Sequence, residues 1–351
     1  MLLRLRKNLG PSELESVLAV ARDLDLATRF LDAQRTVLEL VGPADPRARS
    51  RFEDLAAVSA VLDSSDQPEL VDRTRDRADT VVHIAEALFG GDSASLIAGP
   101  CAVESAERLF EIAASVRAAG AALLRGGAYK PRTSPHSFQG LGAQGLALLA
   151  EARARTGLGI VTEVLDPRDV EVVGRSADAF QIGSRSMANA ALLVEVGKSG
   201  KPVLLKRGLA ATVREFLLAA EYVLAQGNPN VILCERGIRG FDKFTRNVLD
   251  VGAVAHLKLA THLPVVVDPS HAAGRADLVR PLARAGMAAG ADGLVIETHP
   301  APHEVHSDGA QAVSLALFAE IARDAQAILA LDERHLRPTL YSPLGSPQIG
   351  V

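Results

Sequence analysis

Tryptophan is absent from this chain of 351 residues, tyrosine occurs three times and cysteine only twice. Two cysteines, Cys101 and Cys234, are too few to staple a chain of this length, so a disulfide framework is excluded. Each thiol by default packs as a small apolar group. No apolar run is long enough to cross a bilayer. The first ten residues, MLLRLRKNLG, lack the apolar stretch and cleavage site of a secretory signal, so a cytoplasmic protein is expected. Excess charge is also missing. Lys and Arg number 38 against 42 Asp and Glu, a net charge of −4 that argues for neither nucleic acid nor a membrane surface as partner. Lysine is scarce, seven residues against 31 arginines, a skew that reads as genome composition. Its use is that a lysine at a strand end stands out.

What the chain does have is apolar residues, 48% of the total, enough for a large core. Residues 1–63 read as strand (LLRLRK), helix (PSELESVLAVARDLDL), strands (TRFLDA, TVLELVG), helix (ARSRFEDL) and strand (AVSAVLD), with Pro11 at a helix start and Glu13 and Glu15 in its first turn. That order predicts a small ferredoxin-like α+β module. Residues 64–93, polar at first, are expected to be linker and barrel entry. From 94 to 335 eight short apolar runs alternate with helical patterns: ASLIAGP, ALLRGG, GIVTEVL, AFQIG, PVLLKRG, VILCERG, LPVVVDP and GLVIETHP. Gly120, Gly157, Gly227 and Gly290 punctuate helix ends. Continuous rather than alternating apolar runs mean strands buried on both faces, and eight of them with intervening helices predict a closed (β/α)8 TIM barrel. Residues 336–351 are Pro/Gly-rich and expected to be irregular.

In such a barrel the active site lies at the C-terminal ends of the strands. Two groupings emerge there. The first is cationic: Arg125, Lys130, Arg132, Arg185, Lys206 and Arg236. Any one alone is an ordinary surface charge, but six at one barrel mouth repel each other unless anions fill the site. Arginine clamps phosphate or carboxylate with paired hydrogen bonds. The site therefore suits polyanionic substrates, with two phosphates and a carboxylate. The second grouping is Cys101, His271, Glu297 and Asp308. Singly these are a packed thiol, a helix cap or structural hydrogen bonds. Together, from neighbouring strands 1, 7 and 8, they make a mixed set suited to a divalent transition metal rather than Mg²⁺ or Ca²⁺. Mn, Co, Fe and Zn all fit. Other signals carry less. Gly140, Gly142 and Gly145 spell a dinucleotide-binding pattern with no strand before it, so a turn and helix start is expected. His299, His303 and His306 read as solvated loop residues, Cys234 as core, and Lys206 as a phosphate contact before a Schiff-base lysine.

The segments IAGPCAVES, GGAYKPRTSP, TEVLD, QIGSRSM, LLKRG, CERGIRGFDKFTRN, DPSHAAG and IETHP with SDGAQ resemble the signatures of type I 3-deoxy-D-arabino-heptulosonate 7-phosphate (DAHP) synthases, and the type Iβ subgroup in particular. The resemblance runs in order from about residue 94 to 330. One departure is Gly240, where related sequences often carry threonine. The resemblance implies the first step of the shikimate pathway, leading to aromatic amino acids: a metal-dependent condensation of phosphoenolpyruvate with erythrose 4-phosphate. It implies Cys101, His271, Glu297 and Asp308 as ligands of one divalent ion. It implies Arg125, Lys130, Glu163, Gly183, Ser184, Arg185, Lys206 and Arg236 as the phosphoenolpyruvate pocket. Lys130, Pro131, Arg132 and Thr133, with Asp308, would hold erythrose 4-phosphate, Arg132 and Thr133 taking its phosphate. Lys130, Glu163, Cys101 and His271 would carry the chemistry. A homo-oligomer, dimer or tetramer, is implied too. The N-terminal module resembles the regulatory domain of some members, which suggests feedback inhibition by an aromatic amino acid that deletion of residues 1–63 should abolish. The nearest competing activity is that of 3-deoxy-octulosonate-8-phosphate synthases, which use arabinose 5-phosphate and resemble KANRS where this chain has KPRTS at 130–134. Further alternatives are a non-catalytic amino-acid-sensing paralogue and a metal-free aldolase using Lys206.

Overall fold

The computed structural model describes residues 1–6, 9–30, 35–42, 47–62, 70–73, 78–130, 136, 138–304 and 309–337. It divides into two compact units, Met1–Asp76 and Arg77–Val351. In the first, β1 (Leu2–Leu5), α1 (Pro11–Asp23), β2 (Ala27–Phe30), β3 (Val37–Val41), α2 (Ala48–Glu53) and β4 (Val58–Leu62) follow one another. The antiparallel sheet has the order β2-β3-β1-β4, the ferredoxin-like arrangement. Pro11 opens α1 and the Glu13 carboxylate accepts from the Gly10 amide at 2.8 Å, satisfying one donor that the first turn leaves over. Alternate residues of β1 and β3 (Leu3, Leu5, Leu38, Leu40) bury against Val17 and Ala21 of α1 and Phe52 of α2.

In the second unit β5 (Val82–Ile84) and β6 (Ala87–Phe89) form a hairpin ahead of the barrel. The barrel strands are β7 (Ser93–Gly99), β8 (Leu123–Arg125), β9 (Gly159–Glu163), β10 (Ala179–Ile182), β11 (Val203–Lys206), β12 (Val231–Glu235), β13 (Val265–Val267) and β14 (Gly293–Glu297). Each pairs in parallel with the next, and β14 pairs with β7 over five residues, closing the cylinder. The helices between them include α3 (Ala106–Ala118), α4 (Ala143–Thr156), α5 (Val170–Gly174), α6 (Ala190–Lys198), α7 (Val213–Leu224), α8 (Val251–Ala260), α9 (Pro269–Ala273) and α10 (Ala276–Ala288). After β14 come α11 (Leu315–Leu329) and β15 (His335–Leu336), which adds in parallel to β7 at Ser93 and Ala94. Ser105 caps α3, and Thr212 with Glu215 makes a reciprocal capping box on α7. No helix among the described residues is long and apolar enough to cross a membrane.

The hairpin was expected only as barrel entry. Val82, Ile84, Ala87 and Phe89 pack into one buried cluster with Ile97, Leu123, Val161, Leu204, Ile232 and Val295 from inside the cylinder. Its turn lies by Gly159 at the start of β9, and Phe89 lies by Gly293 at the start of β14. The hairpin thus plugs the N-terminal end of the barrel and leaves the opposite end for chemistry. Its two-residue turn uses Ala85 at φ +50° and Glu86 rather than an Asn-Gly pair, so no turn signal marks it in the sequence. Cys234 belongs to the same cluster, where burial raises its thiol pKa far above the ordinary value and leaves it inert.

Candidate active site

Because β7, β14 and β13 are adjacent, the segments that leave their C-terminal ends converge. Gly99 ends β7 at φ +151°, and a Cβ there would lie 2.1 Å from the Arg125 carbonyl oxygen. Glycine at this point lets the Gly99-Pro100-Cys101 segment pass close over β8, bringing the buried Cys101 to the barrel mouth. β13 runs straight into α9, whose sequence specifies its ends: Asp268 at the N-cap, Pro269 at the first position, Gly274 left-handed after the last turn. One helical turn returns His271 over the strand ends. Ser270 Oγ accepts from the Glu297 amide at 3.0 Å, which ties α9 to the end of β14. The donor atoms of Cys101, His271 and Glu297 all lie within 4.8 Å of one another, and the His271 Nε2 to Glu297 Oε2 distance is 3.5 Å.

Asp268 holds the imidazole. Its Oδ1 accepts from the His271 amide at 2.9 Å, and its Oδ2 is 2.8 Å from His271 Nδ1. Lys206 Nζ, at the end of β11, bonds the same Oδ2. Burial alone would raise the Asp268 pKa, but His271 and Lys206 outweigh it and hold this carboxyl well below the usual carboxylate range. Burial lowers the His271 pKa, favouring the neutral ring. A neutral imidazole with Nδ1 facing a carboxylate presents the Nε2 lone pair to Glu297 and Cys101, the arrangement found around metal-bound histidines.

Cations ring this trio. Lys130 Nζ donates to Cys101 O at 3.0 Å and to Cys101 Sγ at 3.1 Å. Arg125 is buried with Nη1 3.7 Å from Glu297 Oε2. Burial works against its charge, but Cys101, Glu297, Asp268 and Glu163 more than compensate, so its pKa is raised. Arg125 Nε, Arg125 Nη1 and Ser184 Oγ are buried with no hydrogen-bond partner.

Residues 73–330 match the DAHP synthetase I family. The chain belongs to this family. It is 43% identical over 325 residues to phospho-2-dehydro-3-deoxyheptonate aldolase of Thermotoga maritima, covering 92% of this chain and 96% of that protein. A 2-dehydro-3-deoxyphosphooctonate aldolase of Bradyrhizobium diazoefficiens is 34% identical over 272 residues, 72% of this chain and 95% of the relative. The crystal structure of the Thermotoga maritima DAHP synthase superposes with a TM-score of 0.79 at 41% identity, covering 95% of this chain and 98% of that one. A truncated form of the same synthase covers 76% of this chain and 98% of its own, with a TM-score of 0.71.

In this DAHP synthetase family member, Cys101, His271, Glu297, Lys130, Arg125 and Lys206 lie at one barrel mouth, joined by the hydrogen bonds and close approaches at Cys101, Asp268 and Glu297. Glu163 and Arg236 are buried at the ends of β9 and β12, whereas Arg185 is exposed. Gly183 follows β10, and a Cβ there would stand 2.0 Å from Glu163 Oε1. Gly183→Ala should therefore displace the Glu163 carboxylate while the backbone accepts the change. A drop in kcat of about 100-fold with an intact fold is expected, by the cost of misplacing a group by an ångström. Steady-state kinetics beside a thermal melt check this, and wild-type kcat would refute it. Pro131, Arg132, Thr133 and Asp308 lie outside the described residues, as does His306.

Two expectations need correcting. His299 is not solvated: it is 3% exposed, because β14 continues through Thr298 and His299 into pairing with Val313. The mouth's cations also do not wait for substrate alone to offset them, since Lys206 already bonds Asp268. Arg207, adjacent in sequence, turns outward to Glu235 (2.8 Å), Asp250 (3.0 Å) and the Ala211 carbonyl (3.0 Å). The run LPVVVDP carries Asp268 at a strand end, with no task evident from the run itself. The signal was there: an N-cap aspartate three residues before a histidine has that imidazole within reach.

Proposed function

We propose that this chain condenses phosphoenolpyruvate with erythrose 4-phosphate and water to give DAHP and inorganic phosphate. It would use one divalent transition metal ion held by Cys101, His271, Glu297 and Asp308. The reading rests on the meeting of thiol, imidazole and carboxylate beside buried Lys130 and Arg125, in a chain of the DAHP synthetase I family. A sulfur, nitrogen and oxygen donor set favours Mn, Fe, Co or Zn over Mg or Ca. When bound, such an ion supplies Lewis-acid polarisation of the sugar aldehyde.

The chain's own residues do the rest. Arg125, Lys206, Arg236, Arg185, Ser184 and the Gly183 backbone bind the phosphate and carboxylate of phosphoenolpyruvate. The buried, unpartnered donors of Arg125 and Ser184 support this. A buried donor left unsatisfied costs about 1–3 kcal/mol, which an anionic acceptor removes. Lys130, Pro131, Arg132, Thr133 and Asp308 hold erythrose 4-phosphate. C3 of phosphoenolpyruvate attacks the aldehyde carbon, and Lys130 Nζ gives a proton to the aldehyde oxygen as it becomes a hydroxyl. Glu163 orients the water that adds at C2 and takes one of its protons; the bond from C2 to the phosphate oxygen then breaks as the C2 hydroxyl becomes the carbonyl, and the hydroxyl proton leaves with the phosphate. Fixing both anions in attack geometry contributes several kcal/mol to lowering the barrier, on the order of the 7–11 kcal/mol available to well-oriented reactants. The module of the first unit is assigned the binding of an aromatic amino acid effector.

The KPRTS segment and the higher identity to the heptonate enzyme favour erythrose 4-phosphate over arabinose 5-phosphate. Mass analysis of products formed with each aldose tests the choice. A seven-carbon acid from erythrose 4-phosphate is expected. An eight-carbon acid from arabinose 5-phosphate as the main product would move the chain to the octulosonate branch.

A further inference from the structure

We propose that Gln311 is a positioning residue that sets the Glu297 carboxylate, and that Arg246 fixes the only orientation in which Gln311 can do so. The inference rests on reading Glu297 as a metal ligand. Gln311 is 1% exposed, and its Nε2 donates to Glu297 Oε2 at 2.7 Å. Its Oε1 accepts from Arg246 Nη1 at 3.0 Å. A guanidinium can only donate and an ionised carboxylate can only accept. An amide wedged between them therefore satisfies both neighbours one way round and neither when flipped. The amide proton lands on Glu297 Oε2, the same oxygen that lies 3.5 Å from His271 Nε2 and 3.7 Å from Arg125 Nη1.

Both ends of this relay are fixed by backbone. On the Gln311 side, the Val313 amide donates to the Glu297 carbonyl and the His299 amide to the Val313 carbonyl, each at 3.0 Å, so the 309–313 segment is stitched to the end of β14. On the other side, the Arg246 amide donates to the Ala273 carbonyl at 2.9 Å. The Arg246 side chain crosses Gly274 so closely that a Cβ there would lie 2.4 Å from Arg246 Cβ. Arg246 thus ties the segment after β12 to the end of α9, the helix that carries His271. Through Gln311 it also reaches Glu297. Two candidate ligands from different strands are therefore referenced to one side-chain chain. A ligating carboxylate held in its bound rotamer loses less freedom on binding, and removing such an outer partner typically weakens metal affinity about 10- to 100-fold.

The test uses the full chain, stripped with EDTA and titrated with Mn²⁺ alone, free Mn²⁺ being read by electron paramagnetic resonance. Gln311→Met should bind Mn²⁺ about 10- to 100-fold more weakly than wild type. Gln311→Leu, with a different apolar packing, should show the same loss. The absorption bands of the Co²⁺ form should shift in both variants, which a purely structural role would not bring about. Arg246→Met should weaken binding on its own yet add nothing to Gln311→Met, because it acts through that amide. Wild-type Mn²⁺ affinity in both Gln311 variants, or losses from Arg246→Met and Gln311→Met that multiply in the double variant, would overturn the proposal. Failure of the wild-type chain itself to take up Mn²⁺ would instead remove the metal reading beneath it.

Discussion

Cys101→Ala is expected to abolish metal-dependent turnover, by about a thousandfold or more, while the barrel stays folded. Its sulfur is one of three donor atoms within 4.8 Å of one another, and the only soft one among the described members of the site. Lewis-acid polarisation of a carbonyl is worth several kcal/mol of transition-state stabilisation. At 1.36 kcal/mol per tenfold, that is about three powers of ten. The fold should survive because the change deletes a single atom from a segment placed by backbone contacts, at a cost of about 1 kcal/mol. Lys130 keeps its second bond, to the residue-101 carbonyl at 3.0 Å, and so stays in place. Phosphate release and Mn²⁺ binding measured together check this. An active Cys101→Ala enzyme indifferent to chelators would sink the metal scheme and bring forward the aldolase reading with Lys206.

Asp268→Asn should hurt twice, in stability and at the metal. The wild-type carboxylate is fully buried and serves Lys206 Nζ and His271 Nδ1 through one oxygen. Asparagine offers that place a neutral oxygen or an NH₂ group, and the Lys206 ammonium, itself buried, loses its counter-charge. Breaking a buried pair by neutralising one partner costs about 3–5 kcal/mol. For a barrel of this size each kcal/mol lowers the melting temperature by about 2–4 °C. The imidazole also loses the carboxylate that stands 2.8 Å from its Nδ1, an outer charge worth about 10- to 100-fold in metal affinity. Differential scanning calorimetry of the stripped protein reads the first effect and Mn²⁺ titration the second. A variant with wild-type melting and wild-type Mn²⁺ affinity would show that Asp268 is a helix cap and no more.

Much of the catalytic unit was readable because parallel strands buried on both faces leave continuous apolar runs. Each of the eight apolar runs read from the sequence coincides with a strand of the cylinder to within one residue at its start or contains it. Strand ends then delivered Cys101, Lys130, Glu163, Lys206, His271 and Glu297 as a set, since the fold brings those ends together whatever lies between them. The features that stayed hidden lack a local signature. The β5–β6 plug turns on Ala85 and Glu86, which are not turn-formers by composition. Arg207 and Lys206 are neighbours with opposite destinations, one outward to Glu235 and Asp250, one inward to Asp268, because successive side chains of a strand alternate in direction. Gln311 and Arg246 are 65 positions apart and meet only because the 309–313 segment folds back on β14.

The proposed condensation is tested most directly by phosphate release from phosphoenolpyruvate in the presence of erythrose 4-phosphate, measured on protein stripped with EDTA and then reconstituted with Mn²⁺. Release that vanishes on stripping, returns with Mn²⁺ and requires the aldose is the predicted result. Release that persists undiminished after stripping, or none in the reconstituted protein, would contradict it.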